Sequence, residues 1–227
     1  MIAFRTFGPL HQAILAVVTL AAVLCVAVAR SPWGAPWRFA MGRVLGTIVV
    51  GNELLYWVWQ WQHHTWRWPL QICDLAVFLT GWALWQPQRW RVGELAYFWG
   101  LAATTQALLT PDLPDAISPY YCAKFFLTHG GIVVSVVYLA AALGWRPQAG
   151  VVWRMLGVTN LYAAAIGIFN IIAHKNYLYL CAKPQRPSIL DWLGPWPWYI
   201  LWLEVAAVLL FGVCAAPWWW NRGRRHA

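Results

Sequence analysis

Two side chains in this sequence carry the chemistry of covalent catalysis, the thiol of Cys73 and the imidazole of His129. Cys73 lies in the stretch Trp68-Pro69-Leu70-Gln71-Ile72-Cys73-Asp74-Leu75, which brings a thiol, a carboxylate and a carboxamide into an otherwise apolar segment. Proline favours the first helical position, so Pro69 is expected to open a helix running to Trp85, with Cys73 just past the first turn. The free N–H groups and positive dipole end there favour a thiolate, and the adjacent Asp74 opposes it. A thiol becomes a nucleophile when a base takes its proton, and a histidine on a facing helix is the usual partner. Gly130-Gly131 follow His129 and would let two helices approach closely. The plain alternative is a small buried hydrophobe at Cys73 and a hydrogen-bonded core histidine at 129.

A third group could orient the imidazole, and Glu53, Asp74 and Glu204 are equal candidates. Gln71, Gln106 or Asn170 could donate to a developing oxyanion. Asn52, Asn160 and Gln106 could equally be plain interhelical hydrogen bonds. No cofactor is called for. Cys73, Asp74 and His129 with a further carboxylate could be written as a zinc set, but no close ligand spacing typical of zinc is present and metal is set aside. Cys122 and Cys181 could form a disulfide in an oxidising compartment or stay as two thiols, and Cys25 and Cys214 suit core filling.

The elements that must position these groups follow from composition. With 61% hydrophobic residues, 10% charged residues and 20 tryptophans, the chain cannot be a soluble globule, whose charged fraction is about 25%. Seven apolar segments of roughly 17 to 25 residues can each cross a hydrocarbon core of about 30 Å. They run from about Leu10 to Ala29, Phe39 to Trp61, Pro69 to Trp85, Val92 to Thr110, Tyr120 to Leu143, Val151 to Ala173 and Pro195 to Ala216. The expected fold is all-α, a single bundle of seven transmembrane helices over residues 1–227. Arg5, the first apolar run and Ala27-Val28-Ala29 also resemble a signal peptide, although the run is longer than the usual signal core.

Basic residues supply an orientation. Arg30, Arg38, Arg43, Arg89, Arg91, Arg146, Arg154, Arg222, Arg224 and Arg225 fall on one face, and Arg5, Arg67, Lys124, Lys175, Lys183 and Arg186 on the other. The positive-inside rule then predicts a cytoplasmic C-terminus and an outside N-terminus in a cell membrane. The net charge of +9 is accounted for by helix ends and anionic headgroups, and no nucleic-acid motif accompanies it. Tryptophans crowd the segment ends as an interfacial belt. In this orientation Glu53, Gln71, Cys73, Asp74, Gln106, His129 and Asn170 concentrate in the outer half, with Glu204 near mid-depth. Ionisable groups in spans normally face a bundle interior, so this predicts a shared polar pocket. Lys124, Lys183 and Arg186 on the outer face could hold a phosphate headgroup or simply sit in the headgroup layer.

The stretch around Cys73 resembles the L-P-L-H-L-C-D-L signature of the YwaF-like membrane proteins, bacterial relatives of transmembrane protein 164. Further matches are Tyr97-Phe98-Trp99-Gly100, Gln106 to Asp112, Phe125-Phe126-Leu127-Thr128-His129-Gly130, Asn176 to Pro184, and Leu193 to Tyr199. The resemblance implies a seven-helix membrane protein and a lipid acyltransferase, with Cys73 as nucleophile and His129 as its partner. Gln71 departs from the pattern where the family commonly has His, and a carboxamide cannot relay protons near neutral pH. The implied partners are membrane phospholipids and lysophospholipids, with lipid hydrolysis the outcome if water is the acceptor. The alternative from another class is a carrier or channel for a small solute or proton through the polar pocket.

Overall fold

Proline and serine punctuation sets both ends of the first helix and the start of the fifth. The computed structural model describes residues 1–184 and 189–223, and Arg186, Arg224 and Arg225 lie outside them. Among the described residues there are seven α-helices: α1 (Pro9–Arg30), α2 (Arg38–Gln62), α3 (Ile72–Trp85), α4 (Trp90–Leu109), α5 (Pro119–Ala141), α6 (Val151–Ala173) and α7 (Trp198–Gly223). Pro9 and Pro119 open α1 and α5 at positions whose N–H would have no helical partner. Ser118 caps α5, its hydroxyl accepting from the Tyr121 N–H at 3.1 Å. At the other end of α1 the Ser31 hydroxyl donates to the Val28 carbonyl at 2.7 Å. Gly34 must be glycine there, because a Cβ would stand 1.9 Å from the Val28 oxygen.

The third helix corrects an expectation. It starts at Ile72, not Pro69, so Cys73 sits inside the first turn. The cause is a distant hydroxyl: Tyr162 donates to the Leu70 carbonyl at 2.9 Å, and the Leu178 N–H donates to Gln71 Oε1 at 3.2 Å. These bonds hold Leu70 and Gln71 outside the helix.

By contacts the chain forms two compact units, Met1–Pro69 with Cys73–Arg146, and Leu70–Ile72 with Pro147–Ala227. In the first unit α5 is the central helix, packed against α1, α2 and α4. Gly100 lets α4 approach α5, where a Cβ would lie 2.9 Å from Ile132 Cγ2. Gly130 does the same for α1, where a Cβ would lie 2.6 Å from Val18 Cγ2. A short antiparallel ribbon, β1 (Ile2–Ala3) with β2 (Ala116–Ile117), ties the N-terminus to the α4–α5 connection. Beneath the ribbon Phe4, Leu108, Leu113, Ile117, Cys122 and Phe126 form a closed apolar cluster. His11 lies beside Phe4 and Phe126 with both ring nitrogens satisfied: Nδ1 accepts from the Phe7 N–H at 2.8 Å and Nε2 donates to the Leu108 carbonyl at 2.7 Å.

In the second unit α6 packs on α7. Asn170 pins the chain beyond α6, its Nδ2 donating to the Tyr177 carbonyl at 2.9 Å and its Oδ1 accepting from the Tyr177 N–H at 2.8 Å. The Asn160 amide donates to Glu204 Oε2 at 2.9 Å, joining α6 to α7.

Four helices, α1, α5, α6 and α7, are long and apolar enough to cross a membrane. α1 and α6 bury little of their length and expose Val17, Leu20, Leu161, Ile168 and Ile171, apolar surface that suits lipid. α3 has 14 residues and spans about 21 Å, short of a core of about 30 Å. α2 and α4 are long enough, at 25 and 20 residues, but bury Glu53, Gln60, Glu94 and Thr104 among their apolar positions. The chain is therefore a multi-pass helical protein whose full set of seven crossings stays a proposal.

Candidate functional site

The residues with chemistry gather in the first unit, where α2, α3, α4 and α5 contribute Glu53, Cys73 with Asp74, Thr104, and Lys124 with His129. Each is placed by helix periodicity. On α5, Lys124 and Thr128 share the stripe that faces α2, and Phe125 and His129 share another.

Two ion pairs organise the charge. Arg67, in the connection before α3, donates from both terminal nitrogens to the Asp74 carboxylate, each bond 2.8 Å long. Burial alone lowers the Arg67 guanidinium, and the hydrogen bonds and charge of Asp74 outweigh it, holding it above the ordinary arginine value. The bidentate geometry neutralises the carboxylate next to the thiol. Lys124 Nζ lies 2.9 Å from Glu53 Oε2 and 3.9 Å from the centre of the Tyr56 ring. Both partners are buried, with side chains 9% and 1% exposed. Below this pair the Asn52 amide donates to the Thr128 hydroxyl at 2.8 Å, a second α2–α5 tie.

Arg67 and Asp74, members of this charged cluster, act electrostatically on both Cys73 and His129, and Lys124 also acts on His129. No hydrogen bond joins Cys73 to His129 among the described residues. Thr104, fully buried on α4, has no hydrogen-bond partner for its hydroxyl among the described residues. His129 Nδ1 lies 2.8 Å from the Phe125 carbonyl, which can only accept, so Nδ1 carries the proton. Nε2 is then the basic nitrogen, and it has no hydrogen-bond partner among the described residues.

The remaining expected site residues have other positions. Lys124, expected at a headgroup, turns inward to Glu53. Gln106 is half-buried on α4. Gln71, Asn170 and Glu204 belong to the second unit, where they bond Leu178, Tyr177 and Asn160. Lys183, also there, lies 3.5 Å from the Asp191 carbonyl and 5.7 Å from the Tyr199 ring centre. All five cysteines are free thiols, Cys122 buried and Cys181 exposed. Two contributors were missed from sequence: Arg67 as the partner of Asp74, and Lys124 as the partner of Glu53. The i to i+7 spacing of Arg67 and Asp74 was a visible signal; the approach of α2 to α5 that pairs Glu53 with Lys124 gave none.

No curated protein and no solved structure matches the chain. Its sequence does match the model of the TMEM164 family over residues 6–215, a span that takes in every residue of the charged cluster. With nearly the whole length covered, the chain belongs to the TMEM164 family.

Proposed function

We propose that this protein is an integral membrane acyltransferase that moves a fatty acyl chain onto a lysophospholipid, with Cys73 as nucleophile and His129 as general base. The observation that carries the reading is the tautomer of His129. Its Nδ1–H is tied to the Phe125 carbonyl, which leaves an unprotonated Nε2 with no hydrogen-bond partner among the described residues, and the Arg67–Asp74 pair acts electrostatically on both this ring and the Cys73 thiol. A ring whose second nitrogen is fixed by a carbonyl is the usual arrangement of a general base. Family membership supports the membrane setting.

In the first step His129 Nε2 takes the Cys73 proton and the sulfur attacks the carbonyl carbon of a phospholipid ester. The carbon–oxygen bond of the ester breaks, and the imidazolium returns the proton to the departing lysolipid alkoxide. In the second step Nε2 deprotonates the hydroxyl of an acceptor lysolipid, that oxygen attacks the thioester carbon, and the proton returns to the sulfur. Thiol and imidazole lack a direct hydrogen bond without substrate, as catalytic pairs often do before the reacting complex forms. The proposed topology has the N-terminus outside and the C-terminus cytoplasmic.

The test is intact-protein mass spectrometry after incubation with mixed phospholipids and lysophospholipids, comparing wild type, Cys73→Ala and His129→Ala. A hydroxylamine-labile acyl adduct on Cys73, absent in the first variant and reduced in the second, is the expected result. Absence of any adduct with unchanged lipid composition would sink the reading. One observation favours the carrier alternative: Glu53 is 1% exposed, and its Oε1 has no hydrogen-bond partner. A carrier tolerates Cys73→Ser and loses transport with Glu53→Gln.

A further inference from the structure

α1 and α2 both pack on α5 and hardly touch each other, which leaves a groove between them with α5 as its floor. The groove holds about 450 Å³ and runs from Ala13 to Cys25 on α1, from Leu45 to Val49 on α2 and from Phe126 to Ser135 on α5. The helical rise from Ala13 to Cys25 makes it about 18 Å long, close to the hydrocarbon depth of one leaflet, about 15 Å. Its open side exposes Val17, Ile48 and Leu127. Ser135 is the one lining residue with a hydroxyl. Exposed hydroxyls on the two walls bond their own helix, Thr19 to the Leu15 carbonyl at 2.9 Å and Thr47 to the Arg43 carbonyl at 2.8 Å. Ser135 does not: it is fully buried, and its Oγ has no partner among the described residues. A buried hydroxyl needs an acceptor, and the apolar walls supply none.

The stripe of α5 that holds Val134 continues through Tyr138 and Ala141, and an arginine meets it from each wall. Arg30 of α1 donates from Nε to the Ala141 carbonyl at 2.9 Å, and the Tyr138 hydroxyl donates to the Arg38 carbonyl of α2 at 2.7 Å. These positions lie about 5 and 9 Å beyond Ser135 along the helix axis. Both arginines are exposed and neither forms an ion pair among the described residues. No acidic residue precedes Glu53 in the sequence. The connection between α1 and α2 exposes Trp33 and Trp37, as a segment at the membrane interface does. We propose that this groove binds an anionic phospholipid, with its phosphate between Arg30 and Arg38, an ester carbonyl accepting from the Ser135 hydroxyl, and the acyl chain running along α1 toward Ala13. Neither Cys73 nor His129 lines the groove, so this lipid is held and not turned over, and the proposal does not depend on acyl transfer.

The experiment uses Cys25, a free thiol lining the Ser135 end of the groove, as reporter. Alkylation of the full chain by N-ethylmaleimide in detergent is followed peptide by peptide with mass spectrometry, with phosphatidylglycerol or phosphatidylcholine added. The expected result is that phosphatidylglycerol slows alkylation of Cys25 and leaves that of the exposed Cys181 unchanged. Phosphatidylcholine should need about tenfold more lipid for the same protection, since it carries no net charge for the two arginines. Ser135→Ala raises the concentration for half-protection by about two- to tenfold for both lipids, the worth of one hydrogen bond. Arg38→Gln narrows the preference for phosphatidylglycerol by about fivefold. Equal protection of the wild type by the two lipids overturns the proposal, and so does an unchanged half-protection concentration in Ser135→Ala. Protection that grows with protein concentration in the absence of added lipid assigns the groove to a second copy of the chain and overturns it as well.

Discussion

Arg67 grips Asp74 through two parallel hydrogen bonds of 2.8 Å, and Asp74 is the residue directly after Cys73. The Asp74 side chain is 7% exposed and that of Arg67 41%, so the carboxylate depends on the guanidinium more than the reverse. Arg67→Ala is expected to destabilise the fold by about 2 kcal/mol, below the 3–5 of a fully buried pair because Arg67 is partly solvated. Arg67→Lys recovers only part, since an ammonium cannot make the two-pronged contact. A double-mutant cycle with Asp74→Asn, read by thermal unfolding in detergent, should give a positive coupling; additive losses would contradict it.

Lys124 and Glu53 form a pair of the other kind, with both members enclosed between α2 and α5. Removing one charge leaves the other uncompensated in a medium of low polarity. Lys124→Met is therefore expected to cost about 3–5 kcal/mol, and the double variant Lys124→Met, Glu53→Gln less than Lys124→Met alone. Unfolding of the three proteins in the same detergent decides it. A double variant worse than the single would mean that Glu53 is held by something other than Lys124.

Sequence made the helices legible and their partners obscure, for a physical reason. An apolar run long enough to cross a bilayer is a local property, so α1, α5 and α6 begin and end within two residues of expectation. The start of α3 is not local, because it depends on a hydroxyl of Tyr162 reaching back to Leu70. The β1–β2 ribbon is two residues per strand, too short for any alternation to show. Lys124 near a helix start reads as interfacial until α2 brings Glu53 opposite it. Thr104 reads as one more hydroxyl bonded to its own helix, and only the structure reveals that this bond is missing. For the site, sequence could name Cys73 and His129 as candidates, whereas the ion pairs Arg67–Asp74 and Lys124–Glu53 are set by packing and by the chain before α3.

Two glycines on facing helices separate packing from propensity. A Cβ at Gly130, next to His129, would lie 2.6 Å from Val18 Cγ2, whereas a Cβ at Gly51 would meet nothing within 4 Å. Gly130→Ala is expected to push α1 off α5 and cost about 1–3 kcal/mol. Gly51→Ala should gain up to about 1 kcal/mol from helix propensity. Equal effects of the two substitutions on unfolding would mean that α1 and α5 are not in close contact at Gly130.

His11, fully buried, and His129, partly buried, hold opposite tautomers, and this separates structure from chemistry. His11 accepts at Nδ1 and donates from Nε2, so both nitrogens are committed to the backbone of Phe7 and Leu108. His129 donates from Nδ1 and leaves Nε2 open. Substituting His11 by Leu strips partners from a buried N–H and a buried carbonyl, and a loss of about 2 kcal/mol in stability is expected. Where the protein stays folded, acylation of Cys73 should continue at a similar rate. His129→Gln has the reverse profile, because a carboxamide can keep the Phe125 bond but cannot take a proton. Stability should change by less than about 1 kcal/mol, and the rate of acyl-adduct formation should fall by about a hundredfold or more, the usual contribution of a general base. Adduct formation by His129→Gln at the wild-type rate would assign the proton to another acceptor in the cluster, and Glu53, with its unpartnered Oε1, would be the first to test.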